Sequence, residues 1–175
     1  MDYKLKNGTQ ITVRLLRPDD KEELRRSFEE LSVDSRRHRF LSLQGRLTNR
    51  QLEYFTEIDY QNHFALCAFD MSNGSSRGVG VARYIRIVDE PEVAEFAVTV
   101  LDAYQGHGLG RILCELLIKA ARENGISMFR GYISEENSSL VSMLKQYGAH
   151  SQMEEGRLMR VDLALPSAIL KGDGS

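Results

Sequence analysis

Apolar side chains follow two spacings along this chain, and the change from one to the other separates predicted helices from predicted strands. After Pro18, the positions of Leu24, Phe28 and Leu31 place apolar side chains on one face of a helix. From residue 63 onward the apolar residues form short runs bounded by turn residues, which is typical of strands. The predicted strands are residues 11–16, 64–69, 79–88, 93–100 and 128–133, and two short strands around Gly156.

The most regular apolar stripe lies on a helix predicted to begin at residue 109. Spacings of three and four residues continue until Asn124 and Gly125, which are typical helix-ending residues. Further helices are predicted for residues 32–43, 48–58 and 138–147. The stripe consists of Leu109, Ile112, Leu113, Leu116, Leu117, Ala120 and Ala121. This order predicts an α+β fold: one mixed, mostly antiparallel sheet of six to seven strands with helices on both faces.

Length and composition indicate one ordinary globular domain. A chain of 175 residues with 42% apolar and 27% charged residues is not of the disordered, collagen-like or disulfide-rich class. We expect a domain over residues 1–166 and a mobile tail over residues 167–175. The net charge of −2 lacks the basic excess of general nucleic-acid-binding domains, so no nucleic-acid partner is expected.

Targeting and cysteine patterns favour a cytoplasmic location. The N-terminal residues alternate charged and apolar groups, and the apolar run at residues 64–69 is far shorter than the roughly 20 residues that span a bilayer. We therefore expect neither export nor a membrane partner. Cys67 and Cys114 lie in apolar surroundings without metal or redox spacing, so they are expected to be buried thiols in a reducing compartment. The histidines also lack metal-ligand spacing, so no metal is expected.

The candidate chemistry is concentrated in a glycine-rich loop between a predicted strand and the regular helix. Gly106, Gly108 and Gly110 alternate along this loop, so that backbone N–H groups at the helix start can converge on one anion. The spacing matches neither the Rossmann nor the Walker loop. Arg111 lies in the first helical turn, which has no carboxylate, and a bound anion would suit the positive end of the helix dipole. The alternative is a flexible turn that leads into a core helix.

The loop resembles that of the GNAT superfamily of acyl-CoA N-acyltransferases. The motif Gln/Arg-x-x-Gly-x-Gly/Ala is met by Gln105, Gly108 and Gly110, and Val98 and Val100 match the strand that precedes it. Within the superfamily the chain is similar to bacterial protein lysine acetyltransferases of the Pat type. The segments that carry this similarity are residues 36–40, 47–48, 58–60, 81–84 and 94–98.

This resemblance implies acetyl-CoA as cosubstrate. The backbone of residues 106–111 would hold the pyrophosphate, and the pantetheine arm would lie along residues 98–100, with a β-bulge separating that strand from the one at residue 128. Asn137 has two open roles, a cofactor contact and a helix cap. The cofactor-binding residues predicted in this way are Val98, Thr99, Val100, Gln105, Gly106, His107, Gly108, Leu109, Gly110, Arg111 and Asn137.

A general base is also needed, because a lysine amine with a pKa of about 10.4 is protonated at neutral pH. Similar lysine acetyltransferases have their catalytic glutamate at the position of Glu95, and the apolar neighbours at residues 94–97 would raise its pKa by desolvation. Two plainer roles for Glu95 are an outward-facing strand carboxylate and an ion-pair partner for Arg83. His63 and His107 are interpreted as surface or capping residues rather than bases.

The general acid that is usual in the GNAT superfamily is missing from this sequence. Many superfamily members protonate the departing thiolate with a tyrosine of the late helix, and that position is Leu144 here. Tyr147 lies three residues further on and continues an apolar stripe with Leu140, Met143 and Leu144, so packing is its expected role. A thiol with a pKa of about 8.5 is a fair leaving group without a strong acid.

The function predicted from these features is acetyl transfer from acetyl-CoA to a primary amine, with a protein lysine as the leading acceptor. The amine would attack directly, with Glu95 as general base. Two alternatives stay open, a small-molecule amine N-acetyltransferase and a non-catalytic acyl-CoA-binding sensor module. A homodimer is also possible. The basic run at residues 36–39 is either a solvated helix face or a contact for an acidic partner.

Overall fold

The structure, a computed structural model, describes residues 1–33, 35, 46–72, 74, 76–134, 137–154 and 158–165. The strands in these residues are β1 (Asp2–Lys4), β2 (Gln10–Leu15), β3 (His63–Asp70), β4 (Arg77–Ile87), β5 (Glu90–Val100), β6 (Met128–Ser134), β7 (His150–Met153) and β8 (Leu158–Ala164). The helices are α1 (Lys21–Glu30), α2 (Asn49–Thr56), α3 (Leu109–Glu123) and α4 (Ser138–Gln146). The basic run at residues 36–39, Gly156 and the tail at residues 167–175 lie outside the described residues.

The eight strands form one sheet in the order β1-β2-β3-β4-β5-β6-β8-β7. Every neighbouring pair is antiparallel except β5 and β6, which are parallel. The predicted α+β class with a mixed, mostly antiparallel sheet is confirmed, but the predicted number of strands is too low. The missing strand is β1, which pairs Asp2–Lys4 with the start of β2, and three residues are too few for an alternating pattern to stand out.

Helices cover both faces of the sheet, as predicted. On one face, Ser27 of α1 donates a hydrogen bond of 2.9 Å to the carbonyl of Gly78 in β4. On the other, α3 packs so closely that a Cβ added to Gly80 would lie 3.1 Å from Leu113 Cδ1. The regular stripe of α3 is core, and its fully buried members are Leu109, Leu113, Leu117 and Ala121.

The central feature of the sheet is a fork between β5 and β6. These strands pair at three positions only, Val93 with Met128, Ala94 with Phe129 and Glu95 with Arg130. Beyond Glu95, β5 continues to Val100 and β6 continues to Ser134, but the two strands no longer pair with each other. They therefore diverge. The parallel pair thus opens a cleft in the middle of the sheet.

The divergence does not come from a bulge next to residues 98–100, contrary to the expectation from sequence. β4 and β5 pair without interruption from the pair Gly80–Val100 to the pair Arg86–Ala94. The one irregularity in this pairing follows Arg86, at the end of β5 far from residues 98–100. The fork therefore results from the direction that β6 takes, because the cleft-side half of β5 is regular.

Candidate active site

A cleft with a volume of about 670 Å³ lies between the diverging strands. One wall is the C-terminal half of β5, the other is β6 together with α4, and the glycine-rich loop lies at the open end. Nine of the eleven binding residues predicted from sequence line it. They are Val98, Thr99, Val100, Gln105, Gly106, Gly108, Gly110, Arg111 and Asn137.

The glycine-rich loop has the geometry that an anion requires. Gly106 and Gly108 have φ values of 76° and 97°, which L-residues rarely adopt, and Gly108 is the N-cap of α3. No side chain in the described part of the chain caps the helix, and no acidic residue lies in its first turn. The N–H groups that start α3 therefore face the cleft with the positive end of the helix dipole, and they could hold a pyrophosphate.

The backbone of β5 presents alternate residues to the cleft. Leu101 N–H donates to Val79 on the β4 side, whereas the Glu92 carbonyl accepts from Ser127 on the β6 side. Because the direction alternates along an antiparallel strand, Phe96 and Val98 point their N–H and C=O groups into the cleft. An extended amide-bearing arm could pair with these groups as an added strand.

This alternation refines the three strand residues predicted to bind the cofactor. Thr99 directs its backbone toward β4, so it can line the cleft only with its side chain. The Val100 carbonyl already accepts a hydrogen bond of 3.0 Å from Gln105 Nε2. Phe96 was missed as a site residue, although strand alternation from Val98 would have indicated it.

Two residues of the loop do not line the cleft. The Leu109 side chain is fully buried in the core, which leaves only its N–H group for a ligand. The carbonyl of His107 accepts a hydrogen bond of 3.2 Å from the N–H of Lys6, in the β1–β2 hairpin. Asn137 is the N-cap of α4 and its side chain accepts a long hydrogen bond of 3.4 Å from Leu140 N, so it has the expected cap role, and it also lines the cleft where a cofactor contact is predicted.

Glu95 lies at the apex of the fork, at the last paired position of β5. Its side chain is exposed and lines the cleft, and it makes no hydrogen bond or ion pair within the described part of the chain. Ala94 and Phe96 are buried on the opposite face of the strand, so they do not desolvate Glu95 as expected from sequence. The carboxylate therefore faces solvent at the point where the cleft begins.

The basic residues near Glu95 are engaged elsewhere. Arg130, its neighbour across the fork, forms ion pairs with Glu90 at 2.7 Å and Asp162 at 3.0 Å. Arg83, the partner suggested by the sequence, is 4% exposed and hydrogen bonds to the carbonyl of Phe55 and to His63 Nε2.

Residues 22–149 match the sequence profile of the acetyltransferase (GNAT) family. This match covers more than half of the chain and includes both walls of the cleft and the loop. The chain belongs to the GNAT family. It is thus an acyl-CoA-dependent N-acetyltransferase with acetyl-CoA as its cosubstrate, and the resemblance identified from the loop residues is confirmed.

Individual relatives agree with this assignment. The chain is 35% identical to the acetyltransferase PA5475 of Pseudomonas aeruginosa over 78% of this chain and 73% of that protein. It is 28% identical to the acetyltransferase Pat of Mycolicibacterium smegmatis over 93% of this chain but only 48% of that protein. The GNAT domain of S. lividans PAT has a TM-score of 0.85 at 27% identity, with 94% of this chain and 96% of that domain covered.

The residues at and near the position where the GNAT resemblance implies a tyrosine have structural roles. Leu144 is fully buried in the core, and Tyr147 donates a hydrogen bond of 2.7 Å from its hydroxyl to Glu115 of α3. Burial and this carboxylate raise the pKa of Tyr147 to about 12. Among the described residues, the tyrosine that lines the cleft is Tyr132 of β6, which was not singled out from sequence.

The side chains of His63, Cys67 and Cys114, considered as reactive groups, are buried or hydrogen bonded within the fold. Burial, and then the neighbouring Arg83, lower the pKa of His63 to about 4, so its neutral ring accepts a hydrogen bond from that guanidinium at 3.1 Å. Burial raises the pKa of Cys67 to about 12 and that of Cys114 to about 11. Within the described ranges, no three His, Cys, Asp or Glu side chains are grouped as a metal site. No helix in those ranges is long and apolar enough to cross a bilayer.

Proposed function

We propose that this GNAT chain transfers an acetyl group from acetyl-CoA to the ε-amine of a protein lysine, with Glu95 as general base. The observation that carries the proposal is the exposed carboxylate of Glu95 at the apex of the fork, which has no hydrogen-bond or ion-pair partner among the described residues. The similarity to Pat-type acetyltransferases, over nearly the whole chain, supports a lysine as acceptor.

In this proposal, each part of acetyl-CoA binds along one wall of the cleft. The N–H groups of residues 106–111 bind the pyrophosphate at the start of α3. The pantetheine amides pair with the backbone of Phe96 and Val98, and Thr99 and Val100 line the same wall. Asn137 lies on the opposite wall. This arrangement brings the thioester to the fork, beside Glu95.

The reaction then follows from the position of Glu95. The lysine loses a proton to the Glu95 carboxylate, and its nitrogen attacks the thioester carbonyl. A C–N bond forms, the C–S bond breaks with its electron pair leaving on sulfur, and the attacking nitrogen releases its second proton to water or to the departing thiolate. Since a thiol has a pKa of about 8.5, it departs as a thiolate or takes a proton from water, and no acid is required at Leu144.

The test is the substitution Glu95→Gln, which keeps the shape of the side chain and removes the proton acceptor. We expect turnover to fall by roughly 10²–10⁴-fold with CoA affinity unchanged in calorimetry. Glu92→Gln is the matched control, because Glu92 is exposed on the same strand and does not line the cleft. Wild-type turnover of Glu95→Gln under conditions where chemistry limits the rate would remove Glu95 as the base.

The acceptor is tested with labelled acetyl-CoA. Lysine peptides and folded proteins should be labelled, and that label should be lost in Glu95→Gln. Labelling of small amines but of no protein would replace the lysine acceptor with a small-molecule one. Binding of acetyl-CoA with no transfer to any acceptor would instead indicate a sensor module.

A further inference from the structure

We propose that Lys6, in the hairpin between β1 and β2, binds a phosphate group of acetyl-CoA. The residue lies 100 positions before the glycine-rich loop in the sequence, and the hairpin that carries it is at the β1–β2 edge of the sheet, with β3 and β4 between it and β5. Nevertheless its side chain lines the cleft, at the end formed by that loop. The inference concerns how the cosubstrate is held and does not depend on which amine is acetylated.

The hairpin holds Lys6 in a fixed position. Leu5 is buried, its N–H donates to Thr9 at 2.9 Å, and its carbonyl accepts from Gly8 at the same distance. Gly8 has a φ of 90°, which allows the tight return of the chain into β2. Lys6 therefore projects from an ordered turn.

A direct hydrogen bond joins this turn to the glycine-rich loop. The N–H of Lys6 donates to the carbonyl of His107 at 3.2 Å. His107 lies between Gly106 and Gly108, whose backbone begins the anion site at α3. The backbone of Lys6 is thus adjacent to the loop, and its side chain lines the same cleft as Gly106 and Gly108.

The charges at this end of the cleft favour the same conclusion. Among the residues that the structure describes, the cationic side chains that line the loop end are Lys6 and Arg111. Arg111 donates a hydrogen bond of 2.7 Å to Gln146 and lies over the ring of Tyr147, whereas Lys6 forms no ion pair with any described residue. CoA carries a pyrophosphate and a 3′-phosphate, and their combined negative charge exceeds the single positive charge of Arg111. The ammonium group of Lys6 can bind either phosphate group.

The experiment compares Lys6→Gln with Lys4→Gln, which makes the same charge change on β1 outside the cleft. CoA binding is measured by calorimetry at low and at moderate salt. We expect Lys6→Gln to weaken binding about 10-fold and to reduce its salt dependence, because a charge-assisted contact is lost. Lys4→Gln should stay within twofold of wild type. Unchanged thermal stability of both variants shows that the fold is intact, since both side chains are exposed.

Dephospho-CoA, which lacks the 3′-phosphate, identifies the phosphate. If Lys6 binds the pyrophosphate, Lys6→Gln weakens CoA and dephospho-CoA equally. If it binds the 3′-phosphate, wild type already binds dephospho-CoA more weakly, and Lys6→Gln has no further effect on that ligand. Affinity within twofold of wild type for both ligands would overturn the proposal, as would an equal loss in Lys4→Gln, which would indicate only a general electrostatic field.

Discussion

At the scale of single residues, the sequence predicts the packing role of Tyr147 better than it predicts the solvent exposure of Glu95. The packing role of Tyr147 was predictable, because its apolar stripe is a local property of one helix. The exposure of Glu95 was predictable only in part, because strand alternation puts its buried neighbours on the opposite face of β5, whereas the fork beside it depends on β6. The role of a side chain within an element follows from periodicity, whereas its solvation depends on distant strands.

The hydrogen bond of Tyr147 leads to a prediction for the missing acid. Its hydroxyl is engaged with Glu115 on α3, and Tyr147 does not line the described cleft. Tyr147→Phe removes the hydroxyl and keeps the ring, so turnover should change by less than roughly fivefold, or about 1 kcal/mol in barrier. Steady-state kinetics with saturating acetyl-CoA measures this. A loss of 100-fold or more with intact CoA binding would make Tyr147 the acid.

At the scale of elements, local patterns in the sequence predicted the described helices and most strands, whereas the separation of β5 from β6 was expected only with the family resemblance, and the bulge expected as its cause was wrong. The alternation in β5 and β6 is visible in the sequence, as is the stripe of α3. The pairing of β5 with β6 stops after Glu95 and Arg130. No local pattern encodes this end point, because it depends on two strands whose paired residues lie about 35 positions apart in the sequence. The contact of Lys6 with the loop was missed for the same reason.

Gly110 provides a clean test of the glycine-rich loop. A Cβ at Gly108 would be strained by its positive φ, but Gly110 has an ordinary helical position with open space around an added Cβ. Gly110→Ala should stabilise the free protein by about 0.5–1 kcal/mol and leave CoA affinity close to wild type. Gly110→Leu should fold as well but bind CoA at least 10-fold more weakly, because its side chain enters the cleft.

Thermal denaturation and calorimetry on both Gly110 variants decide the outcome. Gly110→Ala controls for the change in helix propensity and Gly110→Leu adds only bulk, so the difference between them reports the volume that the ligand needs. If Gly110→Leu binds CoA as tightly as Gly110→Ala does, the start of α3 is not the phosphate site.

At the scale of the whole molecule, the two thiols lie in the interior on different elements. Cys67 is in β3 and Cys114 is in α3, and both are buried. Burial raises the pKa of Cys67 to about 12 and that of Cys114 to about 11, so at pH 8 fewer than about one thiol in a thousand is ionised. A thiol reagent can therefore reach them only when the fold opens.

This burial predicts how the protein reacts with an aromatic disulfide reagent at pH 8. Native protein should show no fast-reacting thiol, and denatured protein should show both of its cysteines. Acetyl-CoA has no free thiol and binds only the folded state, so at 100 times its dissociation constant it should slow labelling of both cysteines about 100-fold when opening is global. A fast stoichiometric thiol in the native protein would contradict the burial of Cys67 and Cys114. Slowing of Cys114 alone would show that α3 opens separately from the sheet, with the ligand holding its first turn in place.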